Sequence, residues 1–173
     1  MNKDEIRKNI EFESFTIEDF LKTNKWINDP EIMSRSFIRQ KVSVSEQEKI
    51  FRRLSSDKSY IFHKLIFQGR FIGAIGVKKI DYINRNGEIW IYIGEKEFWG
   101  QGIGTIAIRK YSELITKNYN LHKIYATVLS DNIPSLKMFM KAGFNVEGKL
   151  LDHVFFNGEF KNIIILARIF KQD

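Results

Sequence analysis

The run Trp99-Gly100-Gln101-Gly102-Ile103-Gly104 places three glycines within five residues. Lacking a Cβ, glycine adopts left-handed backbone angles and lets a ligand come close to the chain. The run follows an apolar stretch, Glu88 to Gly94, that reads as a strand. It precedes a helical pattern over Thr105 to about Asn118. A strand, a glycine bend and a helix N-terminus together offer unpaired amides and the positive end of a helix dipole, which is chemistry for gripping a diphosphate. The dinucleotide pattern GxGxxG is not met, because Ala107 stands where its last glycine belongs; the nucleotide-triphosphate loop is not met either, because no lysine follows Gly104. A glycine-rich turn that holds nothing is the competing reading.

A second group of residues could move protons. Alternation along Glu88 to Gly94 puts Ile89, Ile91 and Ile93 on one face and Glu88, Trp90 and Tyr92 on the other. With the isoleucines in the core, Glu88 points toward a cleft with two aromatics beside it and could serve as a general base; a solvated glutamate beside a turn is the alternative. Asp81, Asp152 and His153 are weaker candidates. Asp152 and His153 are neighbours in a strand-like run, where adjacent side chains point to opposite faces.

These residues need a scaffold. The chain has 173 residues, 43% hydrophobic and 14% aromatic, enough for one globular domain over 1–173. Thr16 caps a helix running to about Asn28, ended by Asn28-Asp29-Pro30. Ser45 to Glu48 reads as a capping box opening a helix over about Glu46 to Leu54. Strands are expected over Ile10–Phe15, Tyr60–Phe67, Phe71–Ile80, Glu88–Gly94, His122–Leu129, Val146–Phe156 and Asn162–Phe170. The helix from Thr105 presents Ala107, Tyr111, Leu114 and Ile115 on one face, and Pro134 opens a last helix that ends near Ala142 and Gly143. The fold class is therefore α/β (α+β), with a mixed central sheet of about seven strands flanked by about four helices.

Composition excludes several classes. With no cysteine there is no disulfide, no thiolate ligand and no cysteine nucleophile. His63, His122 and His153 lack metal-site spacing, so no metal is expected. The N-terminus is too charged for a signal peptide, and no apolar run approaches about 18 residues, so neither export nor a membrane partner is expected and the chain reads as cytoplasmic. The net charge of +7 is dispersed and carries no nucleic-acid signature; it suits an anionic ligand.

The glycine run resembles the acyl-CoA loop of the GCN5-related N-acetyltransferase (GNAT) superfamily, Gln/Arg-x-x-Gly-x-Gly/Ala. Gly102 and Gly104 match its glycines, and Trp99 stands in place of Gln or Arg. Asn132-Ile-Pro-Ser135 followed by Gly143-Phe144 resembles the family's second signature, Asn-x-x-Ala/Ser and then Gly-Phe at a helix end. The order of elements is also the family's, so the likeness covers nearly the whole chain. The resemblance implies a GNAT fold and acetyl-CoA as co-substrate. It implies cofactor contacts at Ile91, Tyr92, Ile93, Trp99, Gly100, Gln101, Gly102, Ile103, Gly104, Thr105, Asn132, Ser135, Lys137, Phe139 and Lys141, with Arg109 and Lys110 also in reach of the terminal phosphates. On this footing Gly102→Val or Gly104→Val abolishes cofactor binding and spares the fold. Many relatives carry a tyrosine as general acid where this chain has Phe139; Ser135 or a water is then the donor to the departing thiolate.

For the acceptor, the resemblance implies Trp26, Arg35, Glu88, Trp90 and Phe155 as contacts. The segment Trp26 to Ile32 is similar to one in ribosomal-protein N-terminal acetyltransferases and to one in acetyltransferases of 4-amino-sugar nucleotides. The run Glu147 to Phe160 is similar to one in polyamine and ribosomal-protein enzymes, with Leu151 and Asn162 replacing their usual arginine and aspartate. Arg35, Arg39 and Lys41 against the single Glu31, with Arg52 and Arg53 on the next helix, suggest a basic rim. The expected activity is acetyl transfer to a small-molecule amine such as a nucleotide-linked 4-amino sugar, with polyamines or protein N-termini as alternatives, by a monomer or homodimer. A non-catalytic acyl-CoA-binding module and a nucleic-acid-binding domain are the competing classes.

Overall fold

Alternating apolar residues build seven strands, and a computed structural model describes how they join over residues 2–156 and 158–171. The strands are β1 (Ile10–Glu13), β2 (Ile61–Phe67), β3 (Arg70–Asp81), β4 (Asn86–Ile93), β5 (Lys123–Leu129), β6 (Asn145–Phe156) and β7 (Glu159–Ile169). They form one sheet in the order β1-β2-β3-β4-β5-β7-β6. Every pair is antiparallel except β4 with β5. The β2–β3 hairpin turns through Gln68 and Gly69, both at positive φ (50° and 73°), the geometry a two-residue turn needs to match strand twist.

The helices are α1 (Lys3–Lys8), α2 (Ile17–Lys22), α3 (Asn24–Ile27), α4 (Pro30–Ser34), α5 (Val44–Ser56), α6 (Ile103–Tyr119) and α7 (Ile133–Lys141), with a 3-10 turn at Lys96–Phe98. Four places depart from the sequence expectation. Helix α1 was not anticipated, although Asn2 caps it by accepting from the Glu5 amide and its charges run acidic to basic. The helix begun at Thr16 breaks at Thr23. Buried Gln47 of α5 causes the break to be tolerated, because its amide donates to the Phe20 carbonyl (2.7 Å) and to Thr23 Oγ1 (2.8 Å). Pro30 starts α4, capped by Asp29, as well as ending the previous helix. The capping box is Ser43 with Glu46, two residues earlier than read.

Helices α1, α6 and α7 cover one face of the sheet. There Ile103, Ala107, Ile108, Tyr111 and Ile115 of α6 are fully buried, while Leu114, expected among them, is exposed. Helices α2, α3 and α5 cover the other face over β1–β4 with a continuous aromatic layer. Phe20, Phe51, Phe62 and Phe71 meet through Phe15 and Trp26 at centroid distances of 5.0–6.1 Å.

His63 of β2 reaches into the first of these cores, its Nδ1 2.8 Å from the Tyr111 hydroxyl. Burial holds its pKa below the ordinary histidine value. The folded state therefore favours the neutral ring, and the unfolded chain binds the extra proton. Stability is present above about pH 6.5 and is lost as the pH falls below it. Thermal melts between pH 7.5 and 5 should show a fall in Tm that His63→Gln flattens; an unchanged slope in that variant would remove His63 from the account.

Candidate active site

Strands β4 and β5 lie parallel and pair at only three positions, Asn86↔Lys123, Gly87↔Ile124 and Glu88↔Tyr125. Beyond Glu88 they part. β4 runs on to Ile93 and β5 to Leu129 with no further pairing between them. The backbone groups of β4 that would have faced β5 are thereby left for another partner, one of which is supplied locally: Trp99 Nε1 donates to the Ile93 carbonyl (2.8 Å).

A cleft of about 400 Å³ opens beside this gap. Ile91, Tyr92 and Ile93 form its strand wall; Trp99, Gly100, Gly102, Ile103, Gly104 and Thr105 form the loop and the start of α6; Asn132, Ser135, Lys137 and Lys141 come from α7; and Arg35 comes from the end of α4. Sequence reasoning missed Ile32, Ser36, Phe98, Pro134 and Met138, which also line it. Pro134 and Met138 share a helical face with Ser135 and Lys141, so a 3.6-residue period could have found them.

The loop leaves open space in front of the α6 N-terminus. Gly100 (φ 74°) and Gly102 (φ 82°) take left-handed angles, and a Cβ on either would meet no protein atom within 4 Å. Gly102 caps the 17-residue α6 and brings no side chain to the orphan amides of its first turn. Gly104 differs. A Cβ there would lie 2.6 Å from Met138 Sδ, so this glycine, which also lines the cleft, serves the close approach of α6 to α7. Gln101 also turns away, its side chain donating to the Glu97 carbonyl (2.6 Å). Among the described residues, Arg35, Lys137 and Lys141 are the charged side chains lining the cleft, and no carboxylate or imidazole does. Arg109 and Lys110 are engaged elsewhere. Arg109 donates to the Lys141 carbonyl (2.7 Å), and Lys110 to the carbonyls of Arg7 and Ile10.

Asn132 caps α7, its Oδ1 accepting from the Ser135 amide (3.2 Å) while its Nδ2 donates to the Arg35 carbonyl (2.8 Å). Arg35 lies over the Trp99 ring at 4.6 Å and pairs with Glu31 at 2.8 Å. Phe139 does not reach the cleft; it is buried against Phe144, with ring centroids 5.3 Å apart.

The other proposed acceptor contacts sit outside the cleft. Glu88, Trp90 and Tyr92 do share a face, and Trp90 stacks on Tyr92 (6.1 Å, 17°). Glu88 is 3% exposed. Its Oε1 accepts from Thr127 Oγ1 (2.6 Å) and lies 3.3 Å from Lys78 Nζ; its Oε2 lies 2.8 Å from Lys79 Nζ. Burial pushes its pKa up, but the hydrogen bonds from Lys79 and Thr127 and the charges of both lysines outweigh this and leave it lowered. Trp26 is buried against Phe71 and Tyr92, its indole N–H donating to Glu95 (3.2 Å). Phe155 is exposed on β6 beside Phe160. The basic rim is also less basic than its residue count suggested: Lys96 pairs with Asp29 and Glu31, Lys25 with Glu95, and Arg52 with Glu48. Among the described residues no cluster of histidine and carboxylate is placed to hold a metal, and no helix is long and apolar enough to cross a membrane.

The chain is similar to known proteins along most of its length. A family model for an acetyltransferase (GNAT) domain matches residues 9–145. The spermidine N(1)-acetyltransferase of Escherichia coli K12 is 26% identical over 147 residues, covering 85% of this chain and 78% of that protein. The crystal structure of spermidine N-acetyltransferase from Vibrio cholerae in complex with CoA and spermine superposes with a TM-score of 0.87 at 24% identity, over 94% of this chain and 96% of that one. A structure of RimL, a ribosomal L7/L12 alpha-N-protein acetyltransferase in complex with coenzyme A, superposes with a TM-score of 0.84 at 16% identity, over 93% and 94%. These two structural likenesses bear on the fold.

Proposed function

The chain belongs to the GNAT acetyltransferase family, and from that premise we propose that it moves the acetyl group of acetyl-CoA to a primary amine of a polyamine. One observation carries the reading: the parted β4 and β5, the N-terminus of α6 with no side chain bonded to its amides, and the Asn132 end of α7 converge on a single cleft whose charged lining is cationic.

The residues fit the co-substrate. The amides after Gly102 and the ammonium groups of Lys137 and Lys141 suit its phosphates. The unpaired edge of β4 at Ile91–Ile93 suits its thioester carbonyl, whose developing negative charge needs backbone donors. Bound there, acetyl-CoA supplies an activated acyl group; the amine nitrogen forms the new C–N bond, the C–S bond breaks, and the nitrogen's proton passes to water. A thiol pKa near 8.5 makes the thiolate a tolerable leaving group near neutral pH, so Phe139, which has no proton to give, is no obstacle. Ser135 on the cleft wall can supply a proton through its hydroxyl.

The choice of acceptor departs from the sequence expectation of a nucleotide-linked amino sugar. That expectation rested on a basic rim, but Glu31 pairs with Arg35 and Glu48 with Arg52, and the carboxylates of Asp29 and Glu95 lie on neighbouring segments beside Lys96 and Lys25. Carboxylates on this rim can exchange their lysine and arginine partners for the ammonium groups of a polycation. The names of the relatives point the same way. Thiol release from acetyl-CoA should be measured over a panel of spermidine, spermine, N-terminal peptides and amino-sugar nucleotides. The expected order puts a polyamine at least about tenfold ahead in kcat/KM. A faster amino sugar would overturn the acceptor assignment, and cofactor binding without release on any amine would favour the non-catalytic module.

A further inference from the structure

We propose that Glu88 is a positioning residue: its carboxylate fastens β3, β4 and β5 together where the two parallel strands begin to part, next to the cleft, and so sets how far they separate. The proposal rests on the acetyltransferase reading for its kinetic consequence and on geometry alone for its structural one.

Glu88 and Tyr125 make the last pair between β4 and β5. Past that point no ladder holds the strands at a fixed separation. The first link across the opening gap is the 2.6 Å hydrogen bond from Thr127, two residues further along β5, to Glu88 Oε1. On the other side Lys78 is the register partner of Glu88 on β3. Neighbouring residues of a strand normally point to opposite faces, so Lys79 should not reach the same carboxylate. It does, because β3 bulges between Lys78 and Asp81 and Lys79 takes a φ of 51°. A bulge at a non-glycine residue with positive φ has a conformational cost. Here it brings a second ammonium to within 2.8 Å of Glu88 Oε2. Three strands thus converge on one buried carboxylate.

The same geometry argues against Glu88 as the proton acceptor. The strand wall of the cleft begins at Ile91, Glu88 Oε1 already accepts from Thr127, and the ammonium groups of Lys78 and Lys79 from β3 lie beside the two oxygens and hold the carboxylate ionised, with the phenols of Tyr60 and Tyr125 within reach of its charge. A positioning role matters because a shift of about 1 Å between amine and thioester costs on the order of 100-fold in rate.

Thr127→Val removes the link and leaves the carboxylate and both lysines untouched; Thr127→Ser keeps the hydroxyl; Glu88→Gln removes the charge. Amide hydrogen exchange over β4 and β5 and the pH profile of kcat/KM should be followed in all three. Thr127→Val and Glu88→Gln are expected to speed exchange of the Ile89–Ile93 amides at least about tenfold and to lower kcat/KM for the amine by about 10- to 100-fold, with the acidic limb of the profile in place. Thr127→Ser should stay within about twofold of the parent. Loss of the acidic limb in Glu88→Gln beside a parent-like Thr127→Val would overturn the proposal and make Glu88 the base. Unchanged exchange in Thr127→Val would overturn it as well. Exchange needs no turnover, so a chain that acetylates nothing would still decide this point while refuting the activity. If Glu88→Gln does not fold, the uncharged Thr127 pair carries the test.

Discussion

Gly102→Val should lose acetyl-CoA binding by at least about 100-fold in a calorimetric titration, while Gly104→Val should lose stability first. At Gly102 the backbone sits at φ 82°, and the new side chain would project into the open space in front of the α6 amides. A β-branched residue in the left-handed region costs about 1–2 kcal/mol in the fold, and its methyls would stand where a diphosphate must come within hydrogen-bonding distance of the amides. Nothing in the protein can move aside to relieve this, because the obstruction is toward the ligand. At Gly104 the Cβ is directed at Met138 Sδ, 2.6 Å away. There the fold gives way: the flexible thioether must shift, and overpacking costs about 1–3 kcal/mol. Adding Met138→Ala should restore part of the stability of Gly104→Val, and no second-site change in the core should restore binding to Gly102→Val. If Gly102→Val binds acetyl-CoA like the parent, the cradle is not at this loop.

The two glycines look alike in sequence and both line the cleft, but a Cβ on them meets different surroundings. A motif shows that a Cβ is unwelcome; only the packing shows whether protein or ligand occupies the space. The same distinction separates what sequence made legible from what it did not. Strands β2–β5 and helices α6 and α7 were readable because each carries a strong local signal: alternation, a glycine before the helix, or a proline in its first turn. The break between α2 and α3 was not, because its cause lies in Gln47, more than twenty residues away, bonding groups that a continuous helix would have used itself. Long-range satisfaction of backbone polar groups leaves no periodic trace in the chain.

The site shows the same division. The glycine loop and the Asn132 signature lie on contiguous segments, so their lining residues were largely identified in advance. Glu88 was placed on the correct face of β4 by alternation, but its surroundings depend on a bulge in β3 and on a hydroxyl of β5. A lysine pair in a strand gives no hint that both members will turn to one side. The rim charge misled for a similar reason. Counting Arg35, Arg39 and Lys41 against Glu31 leaves out Asp29 with Lys96 and Glu95 with Lys25, since these pairs join other segments.

Gly94→Ala should be among the most destabilising single-methyl changes in the chain, and it bears on whether Trp26 holds the acceptor or the fold. A Cβ at Gly94 would lie 2.0–2.4 Å from Cδ2, Cγ and Cε2 of the Trp26 indole. The ring has little freedom to retreat, being 6% exposed, edge-on to Phe71 at 5.0 Å and tethered by its N–H to Glu95. The expected cost is about 3–5 kcal/mol, the upper range for a core change, which lowers Tm by roughly 10 °C in a domain of this size. Trp26→Ala alone should cost a similar amount by leaving a cavity. The two changes touch the same atoms, so the double variant should be less damaged than the sum of the singles, because the new methyl enters space that the indole has left. Trp26→Phe separates the two roles. If the ring works only by packing on Gly94 at the end of β4, Tm falls and KM for the amine stays within about twofold of the parent. A tenfold rise in that KM with Tm unchanged would return Trp26 to the acceptor site and make its contact with Gly94 incidental.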